Sequence, residues 1–274
     1  MRWLVRLLVL TLVAGLGLGP GALGTESGDR VGDQRAEGLP ARGEPWDLVF
    51  MTDSTGWGVP SLYAQRAEEA LGVEVLVHDL TFGGLSAARI REFLDLSLYA
   101  EQFAEAEIVV VFGNPRMSGV ELPEPDIDTC VLSAAYDRPP PAPSDAADWA
   151  PYRETLGSVF ERIWELRDGK PTVFRAVDMY TPLLGRWSEA GILPECTREW
   201  EMMSDQIRAA AEANGVRMVS IFDALNGPEH DRDVVELGWV RSDGQHLNAE
   251  GAAQIADALA TAGFEPSAPP RPPR

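Results

Sequence analysis

Lysine is nearly missing from this chain: Lys170 is the only one in 274 residues. Phosphate-binding loops and Schiff-base enzymes place a lysine at the reacting centre. Here the sole candidate stands in Gly169-Lys170-Pro171, which reads as the link from a helix to the next strand. Both chemistries are set aside. Histidine is scarce as well, with only His78, His230 and His246. His230 sits in the charged run Glu229-His230-Asp231-Arg232-Asp233, but no second His or Cys stands at metal-ligand spacing, so the run reads as a solvated loop. His78, beside Asp79 at the end of an apolar run, reads as a structural histidine. No metal and no cofactor are expected.

Positive charge is in deficit too, with 23 basic against 43 acidic residues and a net charge of −20. Such a surface repels nucleic acid and anionic lipid and favours solubility. The one long apolar run, Leu7 to Leu18, is short for a membrane span, which needs roughly 20 residues. It is flanked by Arg2 and Arg6 and followed by Gly19-Pro20 and Ala22-Leu23-Gly24, the layout of a secretory signal peptide covering residues 1–24. An uncleaved N-terminal anchor is the alternative; no cysteine stands directly after the run, so a lipoprotein anchor is not expected. A secreted protein without stable membrane insertion is expected. Cys130 and Cys196 are the whole cysteine complement, and in an oxidising compartment two cysteines most often form one disulfide, free buried thiols being the other reading.

Residues 25–44 are rich in Gly and charge and read as a flexible leader, while 265–274 form a Pro-rich tail expected to be unstructured. Between them lies one domain, 45–264. Apolar runs near 47–52, 73–77, 107–112, 172–177 and 217–222 alternate with helical patterns near 60–71, 87–98, 151–167, 197–213 and 249–262. Five strands alternating with helices predict a three-layer α/β/α sandwich on a mainly parallel, flavodoxin-like sheet, expected to be a monomer. The proline-rich insertion from Met117 to Ala150 and the segment from Tyr180 to Cys196 are expected to form irregular rims at the carboxyl ends of the strands. Trp57, Met117, Trp187 and Trp239 are candidates for an apolar wall there, or for core packing.

Four segments carry chemistry. Asp243-Gly244-Gln245-His246 puts a carboxylate three residues before an imidazole, close enough in a turn to fix the ring's tautomer. Ser54 follows the first strand in Thr52-Asp53-Ser54-Thr55-Gly56-Trp57-Gly58, where open α/β sheets bind ligands. Gly83-Gly84 follows the second strand and can expose backbone N–H groups, and Asn114 ends the third strand with a side-chain amide donor. A rival serine, Ser86, in Gly84-Leu85-Ser86-Ala87-Ala88, imitates a nucleophile elbow except in its last residue. Ser54 is preferred because the Ser86 reading leaves the Ser54 turn and the Asp243/His246 pair without purpose.

Taken in order, Ser54, Gly84, Asn114 and Asp243-x-x-His246 resemble the blocks of the SGNH or GDSL-type hydrolases, over roughly Asp47 to Ala260. Two departures stand out. Thr52 replaces the family's glycine, and the Gly-x-Asn block is shortened to Gly113-Asn114. The resemblance implies that Ser54 attacks an ester carbonyl, His246 acts as general base and then acid, and Asp243 orients it. The oxyanion would be held by the Ser54 and Gly84 N–H groups and the Asn114 amide, while Asp53 braces the turn. It implies a small-molecule or glycan ester substrate and an esterase or lipase activity. A carbohydrate O-acyl esterase, an acyltransferase, or a silent binding module on the same fold are the alternatives.

Overall fold

The computed structural model describes residues 43–115, 130 and 143–269. The expected signal peptide, residues 25–42 of the leader, Met117 and most of the proline-rich insertion lie outside them. One sheet contains β1 (Trp46–Met51), β2 (Val75–Asp79), β3 (Ile108–Val111), β4 (Val173–Val177) and β5 (Arg217–Val219). β3 and β4 are buried at every position and β1 at all but Asp47, as strands covered on both faces must be. The order is β2-β1-β3-β4-β5 and every pairing is parallel, so the expected sheet is found and is wholly parallel.

The described helices are α1 (Pro60–Leu71), α2 (Ala87–Phe93), α3 (Ser97–Glu105), α4 (Ala150–Arg167), α5 (Leu184–Ala190), α6 (Leu193–Ala213), α7 (Ile221–Asn226) and α8 (Ala249–Thr261). α8 packs on α1 and α7, and α4 packs on α2, α3 and α6. These two groups cover opposite faces, because right-handed crossovers change face where the strand order reverses at β1. The result is the three-layer α/β/α sandwich.

Several elements differ from the sequence expectation, each for a physical reason. The helix expected over 87–98 is two helices, broken at Leu94–Leu96. At about 100° per residue, an unbroken helix would point Leu94 and Phe103 in opposite directions. The break lets both lie fully buried. β2 begins at Val75 rather than 73, because left-handed Gly72 first closes α1 and Trp46 pairs with Val75. β5 stops at Val219 because Ser220 caps α7, accepting the Asp223 N–H. The 180–196 segment is not irregular: it holds α5 and the start of α6, with Leu184 and Trp187 buried one turn apart.

The expected tail also begins later than 265. Ser267 makes an antiparallel bridge to Thr172, and Gly263 and Glu265 supply carbonyls to the buried guanidinium of Arg175 on β4. An interior cation needs such acceptors, and the tail provides them. Cys130 and Cys196 form the expected disulfide, with Cα atoms 5.5 Å apart. Among the described residues, no helix is long and apolar enough to cross a membrane.

Candidate active site

The strand order reverses beside β1, with β2 on one side and β3 on the other. Ligands in open α/β sheets bind outside the carboxyl ends of the strands at that switch point. Ser54 follows β1, Gly84 follows β2 and Asn114 follows β3, and all three line one cavity of about 310 Å³. Asp243 and His246, from the loop entering α8, line the same cavity. The five residues singled out in the sequence are therefore brought together. Such a volume is at the lower end of small-ligand sites.

The Ser54 turn is built by Asp53. Its buried carboxylate accepts the Thr55 N–H at 2.8 Å, capping the short 3-10 turn Ser54–Gly56, and accepts Nδ2 of Asn114 at 2.7 Å. Asp53 thus braces the turn, and one of the two Asn114 amide protons is committed to that bracing. Thr52 needs no glycine-like conformation: among non-glycine described residues, positive φ occurs only at Asp168 and His230. Gly113 is required by close approach, since a Cβ there would stand 2.5 Å from the Ala87 Cα. That contact lets Asn114 make a one-residue parallel bridge to Ser86 past the carboxyl end of β1, between the segments that follow β2 and β3. Gly84 has φ +67, a left-handed conformation suited to glycine. Neither the Ser54 nor the Gly84 N–H is taken by an acceptor among the described residues.

The Asp243 turn closes on itself. Oδ1 accepts the Gln245 and His246 N–H groups at 2.8 and 2.9 Å, and Oδ2 lies 3.0 Å from His246 Nδ1. The backbone bonds first, from His246 and then Gln245, and the imidazole after them, hold the Asp243 carboxyl down at about 2. An ionised carboxylate only accepts, so Nδ1 carries a ring proton toward Asp243 and Nε2 is the ring nitrogen left to exchange one. Tyr180 Oη donates to the Gln245 carbonyl at 2.8 Å, tying this loop to the end of β4. Burial raises the Tyr180 phenol, so it stays a donor. On the ring's face, Trp57 stacks with centroids 4.6 Å apart and planes 28° from parallel, and the Arg241 guanidinium lies 5.9 Å from the Trp57 ring centre.

The other candidates fall elsewhere. Ser86 is buried and caps α2, its Oγ accepting the Arg89 N–H. His78 binds the Asp47 carboxylate at 2.7 Å. His230 is not a loosely solvated loop residue: it stacks on Phe222 and is held by Glu201 and Asp223. Of the expected wall residues, Trp57 stacks on His246, Trp187 is fully buried with Nε1 donating to the Cys130 carbonyl, and Trp239 is half-buried against the core. The wall is instead made by Met179, Tyr180, Pro182, Leu183 and Arg186 after β4, and by Trp200 of α6. For Met179, Tyr180, Pro182 and Leu183 the signal in the sequence was position alone, just past the carboxyl end of β4.

No family model and no curated protein sequence matches the chain. Solved structures do. A lipase from a goat rumen metagenome superposes with a TM-score of 0.58 at 16% identity, over 80% of this chain and 98% of its own. A protein assigned as a GDSL-like lipase from Parabacteroides merdae gives 0.53 at 11% identity, over 82% and 99%. An acetyl xylan esterase from Geobacillus stearothermophilus gives 0.51 at 14% identity, over 81% and 97%. A parallel sheet with a crevice at its switch point defines the broad class of doubly wound α/β proteins. Within that class, the fold is the one shared with these structures, that of the SGNH/GDSL hydrolases.

Proposed function

We propose that this protein is a serine ester hydrolase working through Ser54, His246 and Asp243. One observation carries the reading: a cavity at the switch point is lined together by Ser54, by a histidine whose Nδ1 is held by an ionised aspartate, and by Gly84. In the proposed reaction His246 Nε2 takes the Ser54 proton as Oγ adds to the ester carbonyl. The imidazolium formed is stabilised by Asp243, and the same proton then goes to the departing alkoxide. Water repeats the cycle to release the acid and restore Ser54. The Ser54 and Gly84 N–H groups, untaken among the described residues, suit the developing oxyanion, with the Asn114 side-chain amide as the third donor of the proposal. No metal or cofactor enters these steps.

The disulfide supports an extracytoplasmic site of action, in keeping with a cleaved 1–24 signal peptide. The acyl acceptor is proposed to be water, and a sugar acetate is within the substrate range because an acetyl xylan esterase shares the fold. The test is hydrolysis of short and long p-nitrophenyl esters by the purified chain. Ser54→Ala is expected to lower kcat by about 10⁴-fold with folding intact. Unchanged activity in Ser54→Ala would sink the mechanism, and no activity on any acyl chain or acetylated sugar would favour a silent binding module.

A further inference from the structure

Cations are scarce in this chain and mostly engaged. Arg66 pairs with Asp257, Arg91 with Asp95 and Lys170 with Glu105, while Arg167 and Arg175 are enclosed by carbonyl oxygens. Arg186 differs. It is exposed, it lines the substrate cavity, and no hydrogen-bond or ion-pair partner holds it among the described residues. Its guanidinium lies over the Asp243–His246 turn, with Nη2 3.7 Å from where a Cβ on Gly244 would stand.

The backbone on both sides of Arg186 is fixed. The Gly185 N–H donates to Asp233, and a Cβ at 185 would stand 2.6 Å from that carboxylate. Trp187 is fully buried and donates to the carbonyl of Cys130, whose disulfide ties it to α6. The backbone that carries Arg186 is therefore set in place on the cavity wall. The two carboxylates that share the cavity are already served, Asp53 by Thr55 and Asn114, and Asp243 by its own turn and His246. Neither lies within ion-pair distance of Arg186.

We infer that Arg186 is an anion-recognition residue of this cavity and that the preferred ester carries a second group, a carboxylate or sulfate, on its acyl or alcohol part. This rests on the esterase reading for the reaction but not for the binding. A guanidinium offers two parallel N–H groups to such an anion, and a cavity with an apolar wall of Met179, Leu183 and Trp200 lowers the solvent competition for it. The charge matters more here because the protein as a whole, at −20, repels anions.

The test compares matched esters by titrating released acid at constant pH. On the acyl side, monomethyl succinate, glutarate and adipate are set against methyl butyrate, valerate and hexanoate. On the alcohol side, 3-acetoxypropanoate is set against propyl acetate. The wild type should prefer the anionic member of at least one series, and which series shows where the charge sits. Arg186→Gln should lower the anionic-to-neutral ratio of kcat/KM by about 10-fold, Arg186→Glu further, and Arg186→Lys should keep part of it. A ratio unmoved by all three variants overturns the inference. A second arm is independent of turnover: in Ser54→Ala, calorimetric titration with the same anionic esters should give a Kd that Arg186→Gln weakens by about 10-fold. If the wild type hydrolyses nothing, the esterase reading fails while this arm still decides the role of Arg186. Equal binding of anionic and neutral esters overturns it.

Discussion

Asp243 serves three hydrogen-bond donors at once, and the order of their effects is informative. The two backbone N–H groups of its own turn lower its carboxyl more than the imidazole does. The carboxylate is therefore prepared by the chain's local geometry before His246 contributes. The sign of the linkage follows: a carboxyl held at about 2 in the folded protein, against about 3.9 unfolded, favours folding above pH 4, and that contribution disappears as pH falls through 2. Carbon-detected NMR titration should find the Asp243 midpoint near 2. In His246→Ala, which keeps both backbone donors, the midpoint should rise but stay below the ordinary range; a full return to about 3.9 would mean that the imidazole is the main cause. Residues of this kind were legible in the sequence because their chemistry is local: Asp243 reaches His246 within one turn, and Ser54 follows its own strand directly. Arg186 and Trp200 were not, because they reach the cavity only through the packing of α5 and α6.

At the scale of elements, the site depends on how α8 begins. Asn248 Oδ1 accepts the Glu250 and Gly251 N–H groups, while its Nδ2 donates to the Gly238 carbonyl at 2.6 Å. The strip before α8 is a small hairpin closed by Arg241 N–H to His246 O at 2.7 Å and Asn248 N–H to Trp239 O at 2.9 Å. One side chain thus caps the helix and clamps the loop that carries His246. Asn248→Ala should cost about 1–2 kcal/mol of stability, seen as a lower urea midpoint, and should lower kcat as well, because His246 is two residues away. Asn248→Asp keeps the cap oxygen and loses the clamp, so its stability loss should be smaller; equal losses would mean that the clamp, not the cap, is what counts. The strands and the longer helices could be read from periodicity because each buries a face of its own. The break between α2 and α3, the early end of β5 and the existence of α5 could not, since each is decided by a distant partner: the phase of Phe103 against Leu94, the capping of α7, and the seat of Trp187 beside Cys130.

Across the whole molecule, the Cys130–Cys196 bond closes a covalent loop of 66 residues and ties Cys130 to the start of α6. Chain-entropy reasoning gives a crosslink of this span about 4 kcal/mol at most, and native-state effects usually reduce it toward 2. The bond is buried at both ends, and Trp187 of α5 donates to the Cys130 carbonyl. The Cys130→Ser/Cys196→Ser double variant is therefore expected to lose about 2–4 kcal/mol in urea denaturation, and wild-type protein unfolded in the presence of reductant should match it. The two effects separate in the cavity. If the disulfide acts only on the unfolded chain, the folded double variant should keep the wild-type preference among anionic and neutral esters. If it also holds α5 in place, that preference should fall with the stability, because Arg186 sits between the two anchored residues Gly185 and Trp187.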